Sequence, residues 1–207
     1  MLIRVQSDYD YDMKVLSWLK SHKYGVAFWL LGSVGWLAAF MLLTDYIHTL
    51  KDPSFVPSCN ISVLVSCGPN MTSPQGSIFG FSNTIMGVTG FVAPILTGFL
   101  LMGDHKLSKW FWSGMALGHT GSLVLISWLF SQSVFSIGTL CPWCMVVWAV
   151  TIPMFFMVWT QTLKAWKPEG RTAKFLSDWM WVLITFCYVT IAFIAQLRLD
   201  WLAEFTR

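Results

Sequence analysis

Four of the five cysteines in this 207-residue chain fall into two pairs, Cys59 with Cys67 and Cys141 with Cys144. The second pair is a C-x-x-C placed where an uncharged run begins to read as a membrane helix. The first lies in the longest polar interruption between two such runs. One dithiol at a membrane surface is a common motif, whereas two on the same surface can exchange electrons through thiolate attack on a disulfide. That chemistry suits an enzyme moving reducing equivalents between soluble thiols and something dissolved in the bilayer. In Cys141-Pro142-Trp143-Cys144, proline is favoured at the first helical position, which makes Cys141 the expected N-cap and Cys144 the third residue of the helix. Both sulfurs then lie near the positive end of the helix dipole, which stabilises thiolate. Two alternatives stay open from the residues alone: a zinc site built from all four cysteines, or two purely structural disulfides. No metal is expected, because the Cys59–Cys67 spacing is looser than that of a zinc knuckle. Cys187 has no polar neighbour in its segment and reads as an inert buried thiol.

The elements that must position these sulfurs are transmembrane. The chain is 56% hydrophobic and only 11% charged, with 13 Trp and 16 Phe. A soluble domain of this size carries about 25% charged residues. Stretches free of Asp, Glu, Lys and Arg run over 24–44, 53–103, 110–163 and 179–197. A span needs roughly 20 apolar residues. The third stretch is too long for one span and is expected to split at Ser131-Gln132-Ser133. The chain is therefore predicted to be an all-α integral membrane protein with helices over 24–43, 85–103, 110–130, 137–159 and 179–197. With the N-terminus in the cytoplasm, ten of the 13 Lys and Arg residues fall inside and three outside, a positive-inside asymmetry. Both cysteine pairs then face outward, the oxidising side in a bacterium.

Residues 1–23 do not read as a cleavable signal, because Asp8, Asp10 and Asp12 precede an apolar run too long for an h-region. They read as a cytoplasmic amphipathic segment, with a solvated tail as the alternative. The formal charge of +3 is accounted for by inside anchors and gives no reason to expect nucleic acid. Asp45 and His48 stand at the outer end of the first helix and could tune the loop thiols, although a wet interfacial place is the expectation. His119 falls mid-helix in the third span, where an ionisable residue is a site candidate by default. Its alternative is a plain hydrogen bond to Ser122 or to another helix. Asn60-Ile61-Ser62 and Asn70-Met71-Thr72 are glycosylation sequons beside the loop cysteines.

The order Cys59, Cys67, Ser73, Phe79-Gly80, Asn83, then Cys141-x-x-Cys144 resembles the vitamin K epoxide reductase family. Ser73 stands six residues past Cys67, with Phe79-Gly80 six and seven residues further on. Asn83-Thr84-Ile85-Met86-Gly87 is similar to the family's N-x-I-x-G. The resemblance covers roughly residues 24 to 160. It implies a four-helix catalytic core around a quinone site; the charge pattern places a cytoplasmic loop over 161–178 after it, and a fifth span with a short external tail over 179–207. It also implies Cys59, Cys67, Cys141, Cys144 and Ser73 as catalytic residues. Asn83 would contact a quinone carbonyl, and Trp148 occupies the place of a quinone-facing tyrosine in vertebrate members; His119 joins them as a third cofactor-binding candidate. The implied cofactor is a quinone of the menaquinone, ubiquinone or vitamin K type.

The implied activity is reoxidation of a DsbA-like thioredoxin-fold protein at the outer face of the bacterial inner membrane. In that scheme Cys59 meets the partner, Cys67 attacks Cys141, and Cys144 faces the quinone. Some relatives carry a fused thioredoxin-like domain. Since this sequence ends at Arg207, a separate partner is expected. The alternatives are reduction of vitamin K epoxide by the same cysteines, or a zinc-stabilised membrane scaffold.

Overall fold

The computed structural model describes Leu19 and residues 21–52 and 54–200. The amphipathic reading of the N-terminal segment and that of the external tail fall largely outside these residues. Among the described residues, five helices are long and apolar enough to cross a membrane. The first span is α1 (Lys23–Lys51); α2 (Gly68–Thr72) is a short helix in the following loop. The second span is α3 (Asn83–Gly90) continued by α4 (Val92–Met102), and the third is α5 (Lys109–Gln132). The fourth and fifth are α6 (Pro142–Trp166) and α7 (Arg171–Leu199). The first four spans form a bundle, with α1 against α3, α4 and α6, and α5 against α6; α7 packs outside it on α6. α6 is the central span, since half of its most apolar window is buried against 11% for α7.

Local chemistry sets these elements. α1 and α4 approach through small residues: a Cβ on Gly98 would lie 2.6 Å from Trp29 N, and one on Gly35 would lie 2.3 Å from the Phe91 ring. Without side chains there, backbones close to contact distance, the usual way apolar helices gain packing in lipid. The α3–α4 break follows from Pro94, which has no N–H to return to Gly90. Pro153 leaves the Ala149 carbonyl without its helical donor in the same way, and the Tyr188 hydroxyl of α7 donates to it at 2.5 Å. That bond fixes the fifth span against the fourth.

The ends of the bundle differ in character. At one end Lys23 and Lys164 lie 5.3 and 5.9 Å from the Tyr24 ring centre, and Lys109 lies 4.8 Å from that of Trp166. The cysteines occupy the other end. Several predicted boundaries need correction. α1 runs to Lys51 rather than Leu43, and α7 begins at Arg171 rather than Trp179. The fourth helix begins at Pro142, not Ile137, because α5 winds into a π turn over Ser133–Ile137 that closes on Gly138 at φ +77°. Absence of charge marks where a chain can cross lipid, and backbone hydrogen bonding continues past it.

Candidate functional site

The loop after α1 has little regular structure, so its backbone groups are satisfied by side chains. Asn60 Oδ1 accepts from Ser66 Oγ at 2.8 Å, from Cys67 N at 2.9 Å and from Gly68 N at 3.1 Å. This gathers the loop around Cys59 and Cys67, which are joined as a disulfide. Two backbone hydrogen bonds then tie the loop to the segment ahead of α6: Ser66 N donates to Leu140 O at 2.9 Å, and Leu140 N to Leu64 O at 2.7 Å. The result is a parallel bridge between Val65 and Leu140. Asn70 reinforces it by donating from Nδ2 to Thr139 Oγ1 at 2.8 Å. Ser133 Oγ donates to the carbonyl of the same Thr139.

This register brings the two cysteine pairs together. Cys141 Sγ lies 3.2 Å from Cys67 Sγ, and both residues are fully buried. Cys141 is the N-cap of α6, with its sulfur accepting from Cys144 N at 3.4 Å, as the C-P-W-C spacing predicts. The neighbouring Cys144 thiol, together with backbone N–H groups, holds the Cys141 thiol below its ordinary pKa. Cys141 and Cys144 are both free thiols.

Asp45 is not at a wet interface. It is 6% exposed, and its Oδ2 lies 3.8 Å from Cys59 Sγ. Continuation of α1 past the apolar run keeps this carboxyl on a buried face of the helix, beside Cys59.

Beneath the sulfurs is a cavity of about 700 Å³, lined mainly by α3, α4, α5 and α6. Ser73, Asn83, His119, Cys144 and Trp148 all line it. Ser73 Oγ donates to Asn70 O at 3.0 Å rather than to a sulfur. Asn83 is the first residue of α3, and the N-cap is Ser82, whose hydroxyl accepts from Thr84 N. Asn83 Nδ2 donates to Gln75 O at 2.7 Å and its Oδ1 accepts from Ile78 N at 3.2 Å. An amide nitrogen carries two hydrogens, so one remains for the cavity. His119 does not bond Ser122. Its Nδ1 donates to Met115 O at 2.9 Å, which leaves Nε2 as an acceptor in the neutral ring. Trp148 sits one turn beyond Cys144, edge-on to Phe130 with ring centres 5.2 Å apart.

Gly114, Gly118 and Gly121 also line the cavity, and a Cβ on any of them would meet no atom within 4 Å. They form a bare strip on α5 at spacings of four and three, a pattern that by itself names no function. Asn60 and Asn70 were read only as sequons. Asn60 instead gathers the loop and Asn70 ties it to Thr139, and no local pattern announces either role. Cys187 lies on α7 away from these groups and is partly exposed rather than buried.

A family model described as Vitamin K epoxide reductase family matches residues 26–159. A search of curated proteins found no match.

Proposed function

The chain belongs to the vitamin K epoxide reductase family, and from that premise we propose that this multi-pass membrane oxidoreductase reoxidises a DsbA-like thioredoxin-fold protein and passes the electrons to a membrane quinone. The observation that carries the reading is the 3.2 Å approach of Cys141 Sγ to Cys67 Sγ, across which one pair can hand a disulfide to the other. A thiolate of the reduced partner attacks Cys59, forming a mixed disulfide and releasing Cys67 as thiolate. Cys67 attacks Cys141 of a Cys141–Cys144 disulfide, giving a Cys67–Cys141 bridge and freeing Cys144. The second partner thiol resolves the mixed disulfide, so the partner leaves oxidised and Cys59 is freed. Cys59 then attacks Cys67, which restores the Cys59–Cys67 disulfide and leaves Cys141 and Cys144 as the reduced pair. The structure holds this last arrangement, one pair bonded and the other free. The lowered pKa of Cys141 makes it a good leaving sulfur in that step.

The cavity suits a quinone by size, by its apolar walls and by the presence of Cys144 in its lining. Asn83 would donate to a ring carbonyl, Trp148 would stack, and His119 Nε2 would face a ring hydroxyl. A quinone bound there supplies an acceptor for the two electrons and two protons released when the Cys141–Cys144 disulfide re-forms. The positive-inside asymmetry supports placing the cysteine end outside a bacterial inner membrane. The test is quinol formation by purified protein given a reduced thioredoxin-fold donor and a short-chain ubiquinone or menaquinone. Donor oxidation coupled one-to-one to quinol supports the reading. Failure of the donor to reduce Cys59–Cys67 would sink it.

A further inference from the structure

The proton balance of the exchange at Cys59 points to a residue that the relay of sulfurs leaves unused. Cys59 leaves a disulfide as thiolate once in each cycle and attacks as thiolate once. Between those two steps the freed sulfur is 5% exposed, and a negative charge left there is costly unless a neighbour gives it a proton. A group already beside the sulfur that gives it a proton on departure and takes it back before attack would serve both steps. The carboxyl of Asp45 meets the geometric requirement, with Oδ2 3.8 Å from Cys59 Sγ, within reach of a hydrogen bond from a freed thiol.

Asp45 is not occupied as half of an ion pair, since the ion pair found among the described residues joins His22 to Asp104. The titratable groups around Asp45 are few. His48 lies one turn further along the same helix and acts on its charge, and Tyr46 packs on the cysteine cluster. Cys59 faces it from the loop, where the Ser58 hydroxyl acts on its charge, and Cys141 at the start of α6 feels that charge.

Resting on the thiol-exchange half of the proposed function, we infer that Asp45 is the catalytic proton carrier of Cys59. When the resolving thiol expels Cys59 from the mixed disulfide, the electron pair of the breaking S–S bond stays on Cys59 Sγ, and the neutral carboxyl of Asp45 gives it a proton. When Cys59 attacks Cys67 of the Cys67–Cys141 bridge, the Asp45 carboxylate takes that proton back. A new Cys59–Cys67 bond forms, the Cys67–Cys141 bond breaks, and the electron pair leaves on Cys141. Each cycle returns Asp45 to its starting state, so no further oxidant or reductant is required. General acid or base assistance of this kind is worth about a hundredfold or more where the proton has no other route.

The full-length chain in detergent, fully reduced, is pulse-alkylated with iodoacetamide across a pH series, and Cys59 is read by peptide mass spectrometry. Wild-type Cys59 should show two inflections, because its thiol and the Asp45 carboxyl titrate as a coupled pair. Asp45→Asn keeps shape and size but should show one inflection. Dithiothreitol should also reduce its Cys59–Cys67 disulfide at least tenfold more slowly, since Cys59 must leave once whichever sulfur is attacked. An Asn variant whose profile and reduction rate superimpose on wild type overturns the inference. If Asp45→Asn is recovered without its Cys59–Cys67 disulfide, Asp45→Glu decides instead: a displaced first inflection supports the proton role, and a curve identical to wild type overturns it. Quinol assays on the same samples separate the two claims. Absent quinol formation with Asp45 dependence intact removes only the quinone reading, whereas normal quinol formation in an unaffected Asn variant removes only the role of Asp45.

Discussion

The two cysteine pairs are 3.2 Å apart at their nearest sulfurs and are held by different means. Cys141 and Cys144 belong to a helix. Its first turn fixes them by backbone geometry, with Pro142 setting the start and Cys144 N–H turned onto Cys141 Sγ. Cys59 and Cys67 belong to an irregular loop whose place depends on single side chains, chiefly Asn60 and Asn70. In the helical pair Cys144 lines the cavity, while the loop pair is held by side-chain tethers above it. The difference suits a division of labour, in which the tethered pair accommodates a protein partner and the helical pair keeps a fixed distance to a small acceptor.

The strongest way to break that comparison is to remove one resolving thiol from each pair. Cys59→Ser and Cys144→Ser should each abolish turnover and enrich the Cys67–Cys141 bridge, read by mass spectrometry of linked peptides, with Cys187→Ser unchanged. A Cys59–Cys141 link in Cys144→Ser would reverse the assigned roles. Next, Asn83→Ala should slow quinol formation by about ten- to a hundredfold, as for loss of one donor to a developing oxyanion. Exchange at Cys59–Cys67 should fall much less, and rapid mixing that follows the two steps separately is the measurement.

Gly118→Leu sharpens the contrast from the cavity side. A Cβ there meets nothing within 4 Å, and Leu is a better helix former than Gly by roughly 0.8 kcal/mol. Thermal stability should hold or rise while quinone affinity falls about tenfold. Unchanged affinity would place the acceptor elsewhere in the bundle.

Two smaller effects probe how each pair is held. Cys144→Ala removes the thiol beside Cys141, so the Cys141 pKa should move up toward its ordinary value. Its thiolate then appears at higher pH, and the alkylation midpoint of Cys141 should rise. Asn70→Ala loses the tie to Thr139, worth about 1 kcal/mol, and should slow formation of the Cys67–Cys141 bridge by a few-fold in quenched-flow trapping.

The same contrast explains what was legible in the sequence. The C-P-W-C motif states its own geometry, because helix start, N-cap and dipole are local rules. The five spans follow from runs without charge. The loop resisted reading because its order comes from partners far along the chain: Val65 with Leu140, and Asn70 with Thr139. Asp45 was misplaced for a related reason. A charge ends an apolar run in the sequence, yet α1 continues for two more turns and holds that carboxyl beside Cys59. The bare strip of Gly114, Gly118 and Gly121 shows as a pattern, but an empty face acquires meaning only once a cavity is seen against it.

The bridge between Val65 and Leu140 also bears on heat resistance. Whenever the relay is caught with Cys67 bonded to Cys141, a cross-link spans 74 positions, against eight for Cys59–Cys67. Chain entropy alone favours the longer closure by roughly 2 kcal/mol. The hydrogen-bonded register already holds the ends together, so closing that ring requires little rearrangement. The transient species of the cycle should therefore melt at the highest temperature, and samples trapped in it by Cys59→Ser or Cys144→Ser should outlast the resting enzyme on heating.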